Sequence, residues 1–436
     1  MTHRSHPKCD ASKYPIPTID DAAAMIGTRQ LYIWGAGQKG RGFSERLKRL
    51  GFPVAAFLDS DPMLIGHHFR GTPIIHPDTV LRDASRQDDS FILTASVDSK
   101  YKEMFSVAES NGWKRGVNFQ SIQTLSPFYP TVEITGLCNI KCSSCPRGDF
   151  DGLMEVGKFM SLADYRKVIT KMSAEIPFLY LVDLYVFGEP ILNPELPEII
   201  GLNNELGIAS GLSTNLNSIR NLDRALAAYP AQLRVSLSGA SSATYDVTHT
   251  GGKWERVAKH LHILGELHAR YEYRTIIEIY FHAYKHNLHE VSIIRDLCER
   301  YKFRFHPSLG VVFPDYAMQY LETGMLAPSV KPASELMILD INTLIDDCRK
   351  KSDRDCILTR IIPVINWDMT VMPCCNYAYS RIAPNYLDIP LTELIALRTD
   401  SEQCAKCQSH SLHRWNDQGY YRDLVTTRIE QATTCN

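Results

Sequence analysis

The chain has no apolar run approaching the roughly 18 residues that cross a bilayer, so no membrane span and no membrane partner is expected. It also lacks an excess of charge of either sign. Its 47 Lys and Arg against 49 Asp and Glu leave a net charge of −2, whereas a nucleic-acid binder normally carries a basic stripe. No internal repeat or low-complexity tract stands out, which argues against a solenoid or a linker-rich chain. The opening Met-Thr-His-Arg-Ser-His-Pro has no apolar signal core, so a cytoplasmic location is expected. What is present is a length of 436 residues, enough for two or three domains, and 12 cysteines that are unevenly placed.

Cys138, Cys142 and Cys145 form a C-x3-C-x2-C run directly after the β-prone stretch Thr131-Val-Glu-Ile-Thr135. Three thiolates on one tight loop can hold three corners of a four-iron cluster. A closed structural site wants a fourth ligand close by, and the next cysteine is Cys298. The fourth iron is therefore left for a group that is not protein. The alternative is half a zinc knuckle or three buried thiols, and the residues that follow weigh against it.

This segment resembles the core of radical S-adenosylmethionine enzymes from about residue 131 to 290. Pro146-Arg147 is a frequent continuation of the cysteine run, and Met160-Ser161 opens a helix whose apolar stripe is Val168, Ile169 and Met172. A strand at 180–187 ends in Gly188-Glu189-Pro190, where the family usually has Gly-Gly-Glu; here Phe187 stands for the first glycine. The resemblance implies a [4Fe-4S] cluster on the three cysteines, with S-adenosylmethionine bound at the open iron. By the same resemblance Gly188 and Glu189 meet the cofactor's ammonium. Ser213 and Asn215, in Gly211-Leu-Ser-Thr-Asn215, fit the family's Ser/Thr-Asn turn. Ser236 or Ser238 faces the ribose or the carboxylate, and Asn287 lies near the cofactor. An electron donor such as flavodoxin or ferredoxin is then a partner, alongside a small-molecule substrate. Clusters of this kind need reduced thiols, so the cysteines read as cytosolic ligands rather than disulfides.

Strands near 131–136, 180–187, 208–213, 233–238, 275–282 and 302–306 alternate with helical stretches. Ile219, Leu222 and Leu226 mark one helix; Val291, Ile294, Leu297 and Tyr301 mark another. Repeated βα units imply a parallel sheet, and six of them suit a partial (β/α)6 barrel of TIM type. Every motif above sits at the carboxyl end of a strand, where such barrels place chemistry.

Cys356, Cys374, Cys404 and Cys407 form a second set, the last two as C-x2-C. It resembles the one-cluster twitch version of SPASM auxiliary domains, with a β-hairpin turning at Asp368-Met369 where the family often has glycine. The resemblance implies an auxiliary [4Fe-4S] cluster; a structural zinc site is the alternative for four cysteines. Cys348, Cys375 and Cys435 are left over without a second C-x2-C.

Near the amino terminus a strand at 30–34 runs into Gly35-Ala-Gly37-Gln-Lys-Gly40, then a helix at 41–50, a strand at 53–58 and Asp59. Strand, glycine turn, helix, strand and acid follow the order of a dinucleotide fold. The segment is about half a full one, and it is similar to small Rossmann-like units beside sugar-modifying enzymes. It reads either as a nucleotide or nucleotide-sugar handle on Gly35, Gly37, Gly40 and Asp59, or as a docking module without a ligand.

The expected fold class is α/β. The expected order is a tail over 1–27, a Rossmann-like parallel sheet over 28–125, a partial barrel over 126–330 and a small cluster-binding domain with a β-hairpin over 331–436. A linker is expected at 324–334, from its prolines and glycine. His282, His286 and His289 read as surface or supporting histidines, and Cys298 as a buried thiol rather than a hydrogen-atom donor. Tyr245 and 249–252 read as a turn before a helix at Trp254. The expected activity is hydrogen abstraction from a sugar, an aminocyclitol or a nucleotide-linked sugar, leading to oxidation, epimerisation or dehydration. The rivals are a peptide maturase and a non-enzymatic iron-sulfur or zinc protein.

Overall fold

The computed structural model describes residues 15–95, 98–148, 157–352, 356, 358, 361–377, 380–415 and 418–434. Cys435 and most of the expected tail lie outside the described residues.

Two mostly parallel sheets carry the chain. The first has β1 (Gln30–Trp34), β2 (Val54–Leu58), β3 (His68–Phe69), β4 (Thr72–Ile75), β5 (Ser90–Thr94) and β6 (Phe119–Ser121), in the order β3-β4-β2-β1-β5-β6. Among the described residues of this sheet only the β3–β4 pair is antiparallel. The glycine turn after β1 is built by close approach. A Cβ on Gly40 would stand 1.8 Å from Gly35 O, and one on Gly35, at φ 115°, would stand 2.2 Å from Ala95 O. Glycine is needed there to pack helix Gln38–Arg49 against the sheet.

The second sheet has β7 (Thr131–Val132), β8 (Leu181–Asp183), β9 (Ala209–Thr214), β10 (Gln232–Leu237), β11 (Ile276–Ala283), β12 (Arg304–Leu309), β13 (Val364–Ile365) and β14 (Val371–Met372). Strands β7 to β12 pair in consecutive order and in parallel, joined by helices, which is the order a partial barrel requires. The β13–β14 hairpin adds to the β7 edge, β13 running parallel to β7. Along β10 Leu233, Val235 and Leu237 are fully buried, while Arg234 and Ser236 between them are half-buried. Period-two alternation thus sets an apolar face against the helices and a polar face on the other side.

Two expected strands are shorter than their sequence suggested. Past Val132 the chain leaves the ladder, and Ile134 and Gly136 pair instead with Met160 and Lys158. Past Asp183 the chain bends into a turn at residues 186–188, whose amides are held by Glu133. The expected linker also differs: helix Lys331–Leu336 occupies its end, with Val330, Ala333 and Met337 buried. Tyr245 lies on helix Ser242–Thr248 rather than in a turn.

The two sheets share a core. Phe43 of helix Gln38–Arg49 meets the ring of Tyr180 edge-on at 5.3 Å and clusters with Phe178 and Ala209. Arg46 Nε donates to Pro177 O (2.7 Å), and Arg41 Nη1 donates to Arg274 O (3.1 Å). A Cβ on Gly42 would stand 2.6 Å from Tyr180 O and 2.7 Å from the Ala209 Cβ. Gly42→Ala is therefore expected to cost about 2 kcal/mol by overpacking. Gly201→Ala, in helix Leu196–Glu205 with nothing within 4 Å of the new Cβ, should gain about 1 kcal/mol. Urea unfolding of both variants checks the contrast.

Candidate functional site

The cysteine run sits on the loop after β7, at the carboxyl end of the sheet. Its path is held from several sides. Cys145 N donates to Cys142 O (3.0 Å), Lys141 N to Thr250 O (2.8 Å), and the Tyr316 hydroxyl to Cys145 O (3.1 Å). Arg147 donates to Gly136 O. All three thiols are free and half-buried. Burial pushes the Cys138 thiol up to about 11, with the Glu189 charge adding to it. It pushes Cys145 up to about 12 and Cys142 well above the usual range, the neighbouring thiols adding their repulsion. Thiols this reluctant to ionise become thiolates when a metal replaces their protons.

Three residues picked from separate strands meet here. Glu189 N donates to Leu137 O (2.8 Å), just before the first cysteine. The Glu189 carboxylate accepts from Asn215 N (2.8 Å) and Ile191 N (3.3 Å). Asn215 Nδ2 in turn donates to Cys138 Sγ (3.6 Å) and to Asn139 Oδ1 (3.0 Å). Glu189 is 2 % exposed, and burial pushes its carboxyl up to about 7 against the pull of these amides. Gly188 is required by contact, since a Cβ there would lie 1.7 Å from Thr135 O.

The residue that organises this corner is one that motif reading passes over. Glu133 is 2 % exposed, and its Oε2 accepts from the amides of Val186 (3.2 Å), Phe187 and Gly188 (2.8 Å). Burial raises its pKa and the three amides lower it, burial prevailing. Phe187 keeps its amide on Glu133. Its ring packs on Val364 and Met372 of the hairpin and on Phe313 at 5.5 Å. The ring thus anchors the hairpin.

Ser213 and Ser236 stand half-buried on the polar face of β9 and β10. Ser238 and Asn287, expected near the cofactor, are both fully buried. Ser238 Oγ is bonded to Thr248 and to His249 Nδ1 (2.7 Å). Asn287 Nδ2 donates to Ser238 O (2.8 Å) and His282 O (2.9 Å), and its Oδ1 accepts from Tyr284 N (2.9 Å). They brace the strand ends from behind.

The polar face below the cysteines carries groups that no motif pointed to. The Arg234 guanidinium lies 3.9 Å over the Tyr280 ring. Burial pushes the Asp183 carboxyl up to about 6, although Arg234 and Lys39 pull it down. Burial, with Arg234 beside it, pushes His282 down to about 3, so it is neutral; its Nδ1 lies 3.2 Å from Ser308 Oγ. Tyr185 is near enough to Asp183, Arg234, Tyr280 and Cys375 to feel all four. His286 and His289 go elsewhere, to Thr244 O (3.1 Å) and beside Glu290 (3.9 Å). Cys298 is buried in its helix at 2 % exposure.

The second cysteine set converges from three segments. Burial raises the thiols of Cys356, Cys374 and Cys407, and each is raised further by a neighbour, Cys404 acting on all three. Cys404 and Cys407 lie on helix Glu402–Ser409, capped by Ser401. In the hairpin turn Met369 takes φ 68°, in the left-handed region that favours glycine. Cys375 lies next to Cys374 but is coupled to Asp183 on the polar face, and burial pushes its thiol up to about 11.

In the first sheet the glycine turn faces the other sheet. Asp59 Oδ2 accepts from Ala36 N (2.7 Å) and Oδ1 from Asp61 N (3.0 Å). Gly37 caps helix Gln38–Arg49, and a Cβ on it would come 3.9 Å from Arg304 Nη1, on β12.

The donor chemistry suits the groups that the sequence implied. Three thiols on one loop, a carboxylate and an amide converge on one end of the sheet. Thr135 Oγ1 and Ser143 Oγ are buried beside them without a hydrogen-bond partner. Among the described residues no three His, Cys, Asp or Glu side chains converge on a single-ion position.

No protein-family model matches the chain, and no curated protein is detectably similar to it. Among solved structures the chain is similar to Streptococcus suis SuiB bound to precursor peptide SuiA, at 13% identity and a TM-score of 0.43 over 73% of this chain and 77% of that one. It is similar to BtrN in complex with AdoMet and 2-DOIA, at 12% identity and 0.36 over 67% and 89%. It is also similar to native anSMEcpe with bound AdoMet, at 15% identity and 0.42 over 71% and 100%. No helix among the described residues is long and apolar enough to cross a membrane.

Two outcomes follow from the buried carboxylates. Glu133→Ala leaves three amides unsatisfied and should cost about 3–5 kcal/mol in urea unfolding, while Glu133→Gln keeps an acceptor and should cost about 1–2. The Glu189 carboxyl titrates near 7 in the fold against an ordinary 4.5. The stability it contributes is present below about pH 4.5 and is lost as pH rises through 7. The advantage of the cofactor-free wild type over Glu189→Gln should therefore shrink by roughly 3 kcal/mol between pH 4 and 8, read by urea unfolding across that range.

Proposed function

We propose that this protein is a radical S-adenosylmethionine enzyme acting on a carbohydrate-like small molecule. The observation that carries the reading is the meeting of Glu189, Asn215 and Cys138 beside a three-thiol loop. Cys138, Cys142 and Cys145 would hold three irons of a [4Fe-4S] cluster and leave the fourth to the cofactor. With S-adenosylmethionine bound there, such a cluster would supply radical chemistry able to take hydrogen from an unactivated carbon.

The chain's own part is to bind, orient and exclude water. Glu189, with Gly188 allowing close backbone approach, accepts from the cofactor's ammonium. Asn215 holds the Cys138 sulfur and steadies its redox environment by hydrogen bonding. Ser213 and Ser236 offer hydroxyls to a ribose or to substrate. Below them Arg234, Asp183 and the neutral His282 form a dense set of donors and acceptors, suited to a sugar, an aminocyclitol or a nucleotide-linked sugar. That density favours such a substrate over a peptide, which would look for apolar side-chain pockets. The outcome is oxidation of a hydroxyl-bearing carbon, epimerisation or dehydration. The electron comes from a donor such as flavodoxin or ferredoxin, in the cytoplasm.

Cys356, Cys374, Cys404 and Cys407 would hold an auxiliary [4Fe-4S] cluster in the 331–436 domain and accept the electron left after substrate oxidation. The 126–330 domain carries the chemistry. For the 28–125 domain the docking reading is favoured over a nucleotide handle, because the Asp59 carboxylate is spent on backbone amides and Arg304 stands over Gly37.

Anaerobic reconstitution tests the reading. About eight irons per chain, with 5′-deoxyadenosine released after reduction by dithionite, are expected. Cys142→Ala should lose about four irons and all release. Folded wild type that binds no iron and releases nothing would sink the proposal.

A further inference from the structure

We infer that Arg398 is the buried countercation of the C-terminal cysteine set, holding two ligand segments in place and setting the reduction potential of the group they bind. The inference rests on the auxiliary cluster proposed above. Arg398 lies near the end of helix Leu391–Thr399 and is 5 % exposed. Its Nε donates to Pro373 O (2.6 Å), the residue before Cys374. Its Nη2 donates to Leu358 O (2.8 Å), two residues after Cys356. One planar guanidinium thus ties together two segments that carry two of the four thiols. A lysine ammonium, a point charge on a flexible stem, lacks the fork that fits both carbonyls at once.

Held on Pro373 O and Leu358 O, the guanidinium is a buried positive charge beside the segments that carry Cys374 and Cys356. A four-iron core on four thiolates carries about two negative charges when oxidised and one more when reduced. Such a charge is costly in a buried site unless a cation compensates it. A fixed cation favours the more negative, reduced state, so removing it makes reduction harder. Arg398 would then be a positioning and tuning residue that touches no substrate.

The test uses the reconstituted full-length protein and two variants, Arg398→Gln and Arg398→Lys. Iron and zinc are counted, and each protein is titrated potentiometrically by electron paramagnetic resonance. The auxiliary signal is the one that added S-adenosylmethionine does not perturb. Arg398→Gln should keep its irons and shift the auxiliary potential to more negative values. Arg398→Lys should stay near the wild-type potential but unfold at lower temperature, since one of the two carbonyl bonds is lost. If Arg398→Gln loses the auxiliary irons while Arg398→Lys retains them, the need for the charge is shown more strongly still. Full iron with an unchanged potential in Arg398→Gln overturns the inference. So does equal loss of auxiliary iron in both variants, which would leave only mechanical lacing. Zinc in place of the second set of irons in the wild type overturns the cluster itself, and the metal count tells that failure from the others.

Discussion

A single buried carboxylate organises the site. Glu133 gathers the amides of residues 186–188 on one oxygen, and so bends the chain sharply at the end of β8. The bend brings Gly188 onto Thr135 O and delivers Glu189 to the loop that carries Cys138. From Glu189 the contact passes to Asn215 at the end of β9, and from Asn215 to the Cys138 sulfur. Three strand ends are locked in one chain of hydrogen bonds, each with a charged or highly polar partner in a region that water hardly reaches. Removing water makes such bonds strong and makes their loss costly.

The same bend ties in the C-terminal part. Phe187 points away from Glu133 and onto the β13–β14 hairpin, whose strand β13 extends the sheet beside β7. The hairpin leads directly to Cys374, so the position of the second cysteine set depends on the geometry of the first. On the opposite side, helix Gln38–Arg49 presses its glycine face on Tyr180 and Ala209, near the starts of β8 and β9. Its amino-terminal turn brings Lys39 within electrostatic reach of Asp183. The polar face is thus bounded by cysteines at one end and by the first sheet's glycine turn at the other.

Much of this was legible in the chain. The parallel order of β7 to β12 follows from alternating apolar strands and helical stripes, and the positions of most strands fall within a residue or two of expectation. The C-x3-C-x2-C run and Glu189 stood out because their residue types and spacing are rare by chance. The glycine turn after β1 was legible too, though its use was not. The same three glycines that admit a phosphate also admit close packing. For Ser238 and Asn287 the pattern leaves the same choice open: a polar residue at a strand end can face the cavity or brace the backbone. Glu133 left one signal, an acid inside an apolar strand, which alternation alone treats as a solvent-facing position.

Local sequence by itself determined the element types, the three-thiol loop and the acid poised after Gly188, because each depends on neighbours a few residues away in the chain. Tertiary structure decided which of these meet. Asn215 reaches Cys138 across 77 positions and Arg398 reaches Leu358 across 40, and such contacts depend on sheet register and helix packing, which no short stretch encodes. Burial was decided at that level as well. It holds the Glu189 carboxyl near 7 and His282 neutral, and its strength depends on how much water the whole fold excludes.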